Sequence, residues 1–169
     1  MGGAAVCAYE ADLALARGAA AAGVPFALSG ASTTPVEKVM REAPGTWFQA
    51  YLSHDSDKIA ALLYRTEKAG VETLVVPVDT PVMRARENAL RAGFSMPPRL
   101  SVRRAFDGLS HPRWVVGTLA RTLLRNGVPY QENFDAERGP SILVRKVAPE
   151  DRRSRLSWGH VGRIREQWR

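Results

Sequence analysis

The chain has 169 residues, about one domain's worth, and its 45% apolar and 24% charged content is that of an ordinary soluble globular protein and excludes a disordered one. A lone cysteine, Cys7, excludes an internal disulfide and makes the cytosol the default compartment. The net charge of +7 rests mainly on arginine, most of it after position 83, which points to an anionic partner: a carboxylate, a lipid surface or a nucleic acid.

The opening Met1 to Cys7 is too short for a secretory signal, and Val6 stands where myristoylation needs Ser or Thr. No apolar run approaches the ~18–20 residues of a membrane-spanning helix, so a soluble protein is expected. Glu10 to Ala22, rich in alanine and leucine, predicts a helix that stops at Gly23. Pro25 to Leu28 then predicts a short strand running into Ser29-Gly30-Ala31-Ser32.

Thr34-Pro35-Val36-Glu37 predicts a helix start, with the threonine as cap, the proline at the first helical position and the glutamate closing a capping box. This helix should reach Glu42, before Pro44-Gly45. Trp47 to Leu52 predicts a second strand. A further helix should begin near Asp55 or Ser56 and end at Gly70, with Ile59, Leu62, Leu63 and Thr66 on one face. Thr73 to Val78 predicts a third strand, apolar throughout.

Apolar strands separated by helices imply an α/β fold with a parallel sheet and right-handed crossovers. The spacing fits a (β/α)₈ barrel or a doubly wound sheet, and periodicity alone does not choose. Ser29, Gln49 with Tyr51, and Asp79-Thr80 all fall at or just past a strand's carboxyl end, where either architecture holds its active site.

From Arg84 to Arg155 proline, glycine and arginine become frequent, predicting an insertion (84–155) with helices of its own. Within it Pro112 to Asn126 reads as an amphipathic helix. Ser157 to Trp168 predicts a last helix with Trp158, Val161, Ile164 and Trp168 facing a core. Ser53-His54-Asp55 holds triad residue types, but adjacency is not triad geometry, and a helix-entry role is expected. One cysteine and three scattered histidines make no metal site. No nucleic-acid-binding motif is present, so no nucleic-acid partner is expected.

Several stretches resemble the FMN-dependent 2-hydroxy-acid dehydrogenases and oxidases, the family of L-lactate dehydrogenase, glycolate oxidase and mandelate dehydrogenase. They are Ala16 to Phe26 running into Leu28-Ser29, then Phe48-Gln49-Ala50-Tyr51, then Val78-Asp79-Thr80-Pro81 followed by Arg86-Glu87-Asn88. Gly93-Phe94-Ser95, His111-Pro112-Arg113-Trp114 and Leu156-Ser157-Trp158 continue the match. The resemblance spans nearly the whole chain, in order.

It implies a partial (β/α)₈ barrel with FMN across the carboxyl ends of the strands. On this resemblance, Gly2 and Gly3 belong to the loop whose backbone approaches the flavin ring. Ser29 bonds the flavin, and Gln49 meets its pyrimidine edge. Tyr51 offers its hydroxyl to the substrate, and Arg86 grips the substrate carboxylate. Asp79 orients the family's catalytic histidine and stabilises its cation. Pro77 stands where the family usually has a threonine reaching the flavin.

The implied reaction is oxidation of an L-2-hydroxy acid to the 2-oxo acid, with FMN taking the electrons. The first strand and the last strands of the family's barrel are expected to be missing from residues 1–169. With the last strands go the flavin-facing lysine, the base histidine, a second arginine and the phosphate loops. His54, His111 and His160 do not match the base, so the chain alone should bind FMN weakly or not at all and show no turnover. The alternative is a basic amphipathic module that binds a membrane surface through residues 93–155, without catalysis. The two readings are compatible in a cytoplasmic protein peripheral to the inner membrane face, and the resemblance leaves a homo-oligomer of the intact protein open.

Overall fold

The computed structural model describes residues 2–78, 87–91, 93, 101–143 and 156–168. A short helix α1 (Ala4–Cys7) leads into α2 (Ala11–Ala21). The units β1 (Ala27–Ser29), α3 (Val36–Glu42), β2 (Trp47–Gln49), α4 (Ser56–Lys68) and β3 (Leu74–Val75) follow. The strands form a parallel sheet in the order β1-β2-β3, with Ser29 opposite Gln49 and Gln49 opposite Val75. The architecture is α/β.

The core lies between the sheet and its helices. Leu28 and Phe48 are fully buried, and Leu13, Ala16, Val36, Val39, Ile59, Leu62 and Leu63 close over them. Helix α4 carries its predicted apolar face, Ile59, Leu62, Leu63 and Thr66, inward. Asp55 caps it by accepting from the N–H groups of Asp57 (3.1 Å) and Lys58 (3.5 Å), satisfying donors that a helix start leaves free. The buried Thr66 hydroxyl bonds the Leu62 and Leu63 carbonyls. Ion pairs Lys38–Glu10 (2.6 Å) and Arg17–Glu42 tie α3 to the N-cap and the body of α2.

Beyond the sheet lie α5 (Glu87–Arg91), α6 (Val102–Ser110) and α7 (Pro112–Trp114). A π-helical segment, Val115–Ala120, joins α7 to α8 (Arg121–Asn126). The last helix, α9 (Trp158–Gln167), packs on α4 through buried Ile164, and Trp168 Nε1 donates to the Glu72 carbonyl at 3.2 Å.

The structure corrects several expectations. The strands are shorter than predicted, and β3 is half-buried rather than enclosed, because among the described residues nothing pairs with its outer edge. The capping box at Thr34 does not form. Helix α3 starts at Val36, and the Thr34 hydroxyl turns instead to Asp12 (3.3 Å). Asn133, 97 residues away, accepts from the Val36 N–H at 2.9 Å, while Glu37 is drawn to Arg65. Trp158 does not face the core: it is 79% exposed. A capping box does form at α9, where Ser157 and His160 bond reciprocally.

Candidate active site

Ser29 and Gln49 end β1 and β2 as register partners, so both side chains stand at the carboxyl edge of the sheet. Ser29 Oγ donates to Gln49 Oε1 at 3.1 Å and accepts from the Ala31 N–H at 3.2 Å. Gln49 Nε2 is buried and has no hydrogen-bond partner among the described residues. A buried polar group left so costs about 1–3 kcal/mol, and in a folded protein it calls for an acceptor.

Glycine brings neighbouring backbone close to this pair. A Cβ on Gly2 would lie 3.3 Å from Ser29 Oγ and 2.8 Å from Ala31 Cβ, so the chain before α1 runs flush against Ser29. Gly3 follows with φ +84°, a conformation that favours glycine, and turns the chain into α1. A Cβ on Gly30 would lie 2.9 Å from the Gln49 carbonyl, 3.3 Å from Tyr51 N and 3.5 Å from the Asn133 carbonyl. The close approach of three segments at this point therefore requires a glycine.

Tyr51 follows two residues after Gln49 and is half-buried, its ring centroid 6.5 Å from that of Phe134. Pro77 lies two residues past β3, so it takes no donor from the ladder, whose last bond is Ala50 N–H to the Val75 carbonyl at 2.9 Å. Ser29 and Gln49 thus bond each other, Gly2 lies against Ser29 and the Tyr51 backbone passes Gly30, while Gly3 and Pro77 are not among the residues these contacts join. Asp79 and Arg86 lie outside the described residues.

Beneath the edge is a polar hub that sequence reasoning did not reveal. Asp12, 2% exposed, accepts from Ser32 Oγ (2.8 Å) and Thr34 Oγ1 (3.3 Å). Asn133 donates to the Thr34 carbonyl at 2.7 Å while capping Val36. Arg65 grips Glu37 with two bonds (2.7 and 2.9 Å) and also donates to the carbonyls of Glu132 and Asp135. The Arg65 hydrogen bonds hold the Glu37 carboxyl below the ordinary glutamate range against the opposing effect of burial. Ser29 to Ser32 read only as a polar strand end, and Asn133 stands in a run without periodicity, so neither carried a signal for this hub.

Ser53-His54-Asp55 serves helix entry: Ser53 Oγ accepts from the Asp55 N–H, and Asp55 caps α4. His54 Nδ1 is buried and unpartnered among the described residues. Among those residues no cluster of His, Cys, Asp and Glu could hold a metal ion.

The donor set fits a flavin. A flavin's pyrimidine ring presents carbonyl oxygens and an N–H along one edge, complementary to a carboxamide with free donors beside a hydroxyl. At Gly3 an added side chain would meet nothing within 4 Å, so a flat ring has open space there, whereas at Gly2 Ser29 and Ala31 already fill it.

The model of the FMN-dependent dehydrogenase family matches residues 1–169. The chain is 31% identical over 159 residues to the (S)-mandelate dehydrogenase of Pseudomonas putida, covering 93% of this chain and 39% of that protein. It is 35% identical over 162 residues to the L-lactate dehydrogenase of Pectobacterium atrosepticum, covering 91% of this chain and 40% of that one. A crystal structure of the monotopic membrane protein (S)-mandelate dehydrogenase superposes with a TM-score of 0.75 at 28% identity, over 98% of this chain and 43% of that chain. The chain therefore spans about two fifths of the length of these relatives. By its full-length family match and these identities, the chain belongs to the FMN-dependent dehydrogenase family.

Proposed function

We propose that this chain supplies part of the flavin and substrate site of an enzyme that oxidises an L-2-hydroxy acid to its 2-oxo acid. The three-stranded sheet is then a section of a (β/α)₈ barrel, and residues 84–155 are an insertion in it. One observation carries the reading: the buried Gln49 Nε2, without a partner among the described residues, beside the Ser29 hydroxyl at the carboxyl edge of the sheet, in a chain of an FMN-dependent family.

Ser29 and Gln49 would hold the pyrimidine edge of FMN, and the Gly2-Gly3 backbone would lie beside the cofactor. FMN bound there would accept the two electrons of the oxidation. Tyr51 donates its hydroxyl to the substrate. Arg86 binds the substrate carboxylate through a fork of two donors, which a lysine could not reproduce. Asp79 orients and charge-stabilises the base histidine. Pro77, in place of a hydroxyl side chain, offers the flavin only van der Waals contact.

The three histidines in the 169 residues are not suited to act as that base. His160 caps α9, and His111 Nδ1 bonds the Asp107 carbonyl at 2.8 Å. His54 lies in the entry to α4, past the Ser29–Gln49 pair. We therefore expect these residues alone to hold FMN weakly and to turn nothing over. Equilibrium titration of FMN fluorescence checks the binding, and an assay for 2-oxo acid formed from lactate checks the turnover, whose appearance would contradict the second expectation. Gln49→Leu should weaken FMN binding about tenfold. Stoichiometric yellow protein after gel filtration would contradict weak binding, and an unchanged Q49L affinity would contradict the site.

A membrane-surface role coexists with this reading. Val102, Phe106 and Leu109 share one face of α6 and are 74%, 67% and 74% exposed, in a segment rich in arginine. The structurally similar (S)-mandelate dehydrogenase is a monotopic membrane protein. No helix among the described residues is long and apolar enough to cross a membrane. We infer peripheral attachment at the cytoplasmic face of the inner membrane. Co-sedimentation with vesicles of anionic and zwitterionic phospholipid tests it, with binding expected to depend on the anionic lipid.

A further inference from the structure

A hairpin-like loop from the second half of the chain closes over the strand ends. Tyr130 and Ser141 pair as an antiparallel bridge. Gln131 N–H donates to the Pro140 carbonyl (3.1 Å), Gly139 N–H to that of Gln131 (2.8 Å) and Ile142 N–H to that of Pro129 (3.1 Å). Arg138 bonds Glu132 at 2.7 Å and lies over the Tyr130 ring at 4.1 Å. The loop is thereby stiff on its own account.

Its tip is fastened to the catalytic edge at several points. Glu132 N–H donates to the Ser32 carbonyl at 3.2 Å. Asn133, 0% exposed, clamps Thr34 and Val36. One guanidinium nitrogen of Arg65 donates to the carbonyls of both Glu132 (2.8 Å) and Asp135 (3.1 Å), one on each side of Phe134. The Asn133 carbonyl sits against Gly30, between the ends of β1 and β2. Phe134 is thus set in place by its neighbours and presented half-exposed beside Tyr51, the rings tilted by 33°.

An aromatic side chain on a rigid, multiply anchored loop, next to the tyrosine assigned to the substrate, has the properties of a pocket wall. We propose that Phe134 determines substrate specificity. With Tyr51 it forms the apolar surface against which the side chain of the 2-hydroxy acid packs, favouring aromatic and larger apolar side chains over a methyl group. This rests on the assignment of Tyr51 to the substrate site made above.

The test is a binding titration by NMR, at saturating FMN, with two 2-oxo acids that share a head group: benzoylformate and pyruvate. Benzoylformate should bind about tenfold more tightly than pyruvate, the scale of discrimination an apolar wall supplies. Phe134→Ala should remove that preference while leaving pyruvate affinity within about twofold. Phe134→Leu, which keeps an apolar side chain to pack the loop, should fall between the two. Tyr51→Phe should weaken both acids equally. A merely structural role would lower both affinities together and leave their ratio unchanged. An unchanged ratio in F134A and F134L would overturn the inference and leave the substrate site standing. Failure of both acids to bind would overturn both.

Discussion

At the strand ends the protein buries polar side chains: Asp12, Ser32, Thr34 and Asn133 are all under a tenth exposed, and each is hydrogen-bonded. In α6, by contrast, Val102, Phe106 and Leu109 stand in the open. Each region inverts the usual rule, one with polarity inside and the other with apolar surface outside, and such inversions are more telling than the ordinary core between them. The first inversion ties the loop around Asn133 to the carboxyl ends of β1 and β2. The second is the surface assigned above to a membrane contact.

The comparison can be broken most forcefully at Asn133. Asn133→Ala leaves the Val36 N–H and the Thr34 carbonyl buried without their partner and should cost about 2–4 kcal/mol in urea denaturation. A loss under about 0.5 kcal/mol would mean that the hub is not what holds the loop. On the other side, Phe106→Asp should lower vesicle affinity about tenfold while leaving the unfolding midpoint unchanged, because its ring is 67% exposed. A destabilised F106D protein would show instead that α6 packs inside the fold.

The smallest effect sharpens the description of the hub. Glu37 has a lowered folded-state pKa because Arg65 bonds its charged form. Its contribution is therefore complete above the unfolded-state value and is lost as pH falls through the folded one. Its side chain is 39% exposed, so solvent screening discounts the pair. Wild type should lose about 0.5–1 kcal/mol more stability than Glu37→Gln as the pH falls from above the ordinary glutamate range to below it. Identical pH profiles would remove the Arg65–Glu37 bond from the account.

Local signals made part of this structure legible in the sequence. The apolar spacing of α4, its Asp55 cap and its end before Gly70 follow from neighbours within a few turns. The polar edge of the sheet was legible because Ser29 and Gln49 are polar residues closing apolar strands. Long-range partners undid the other readings. Thr34 has every mark of a helix cap, yet Asp12 and Asn133 offered better-buried bonds and moved the start to Val36. Trp158 has the spacing of a core residue, yet α9 meets α4 through Ile164 and leaves it outside. Asn133 and Phe134 matter through what the loop touches, which no periodicity records. Asp79 and Arg86, assigned by resemblance, lie outside the described residues.

The central claim is that the Gln49 carboxamide is held ready for a flavin. The most direct measurement follows the side-chain N–H resonances of Gln49 in ¹⁵N-labelled protein as FMN is added, with Gln49→Leu identifying them. The account predicts that this pair alone among the side-chain amides shifts downfield and slows its exchange with water as FMN binds. Unmoved Gln49 resonances in protein that binds FMN would contradict it, and would place the cofactor elsewhere.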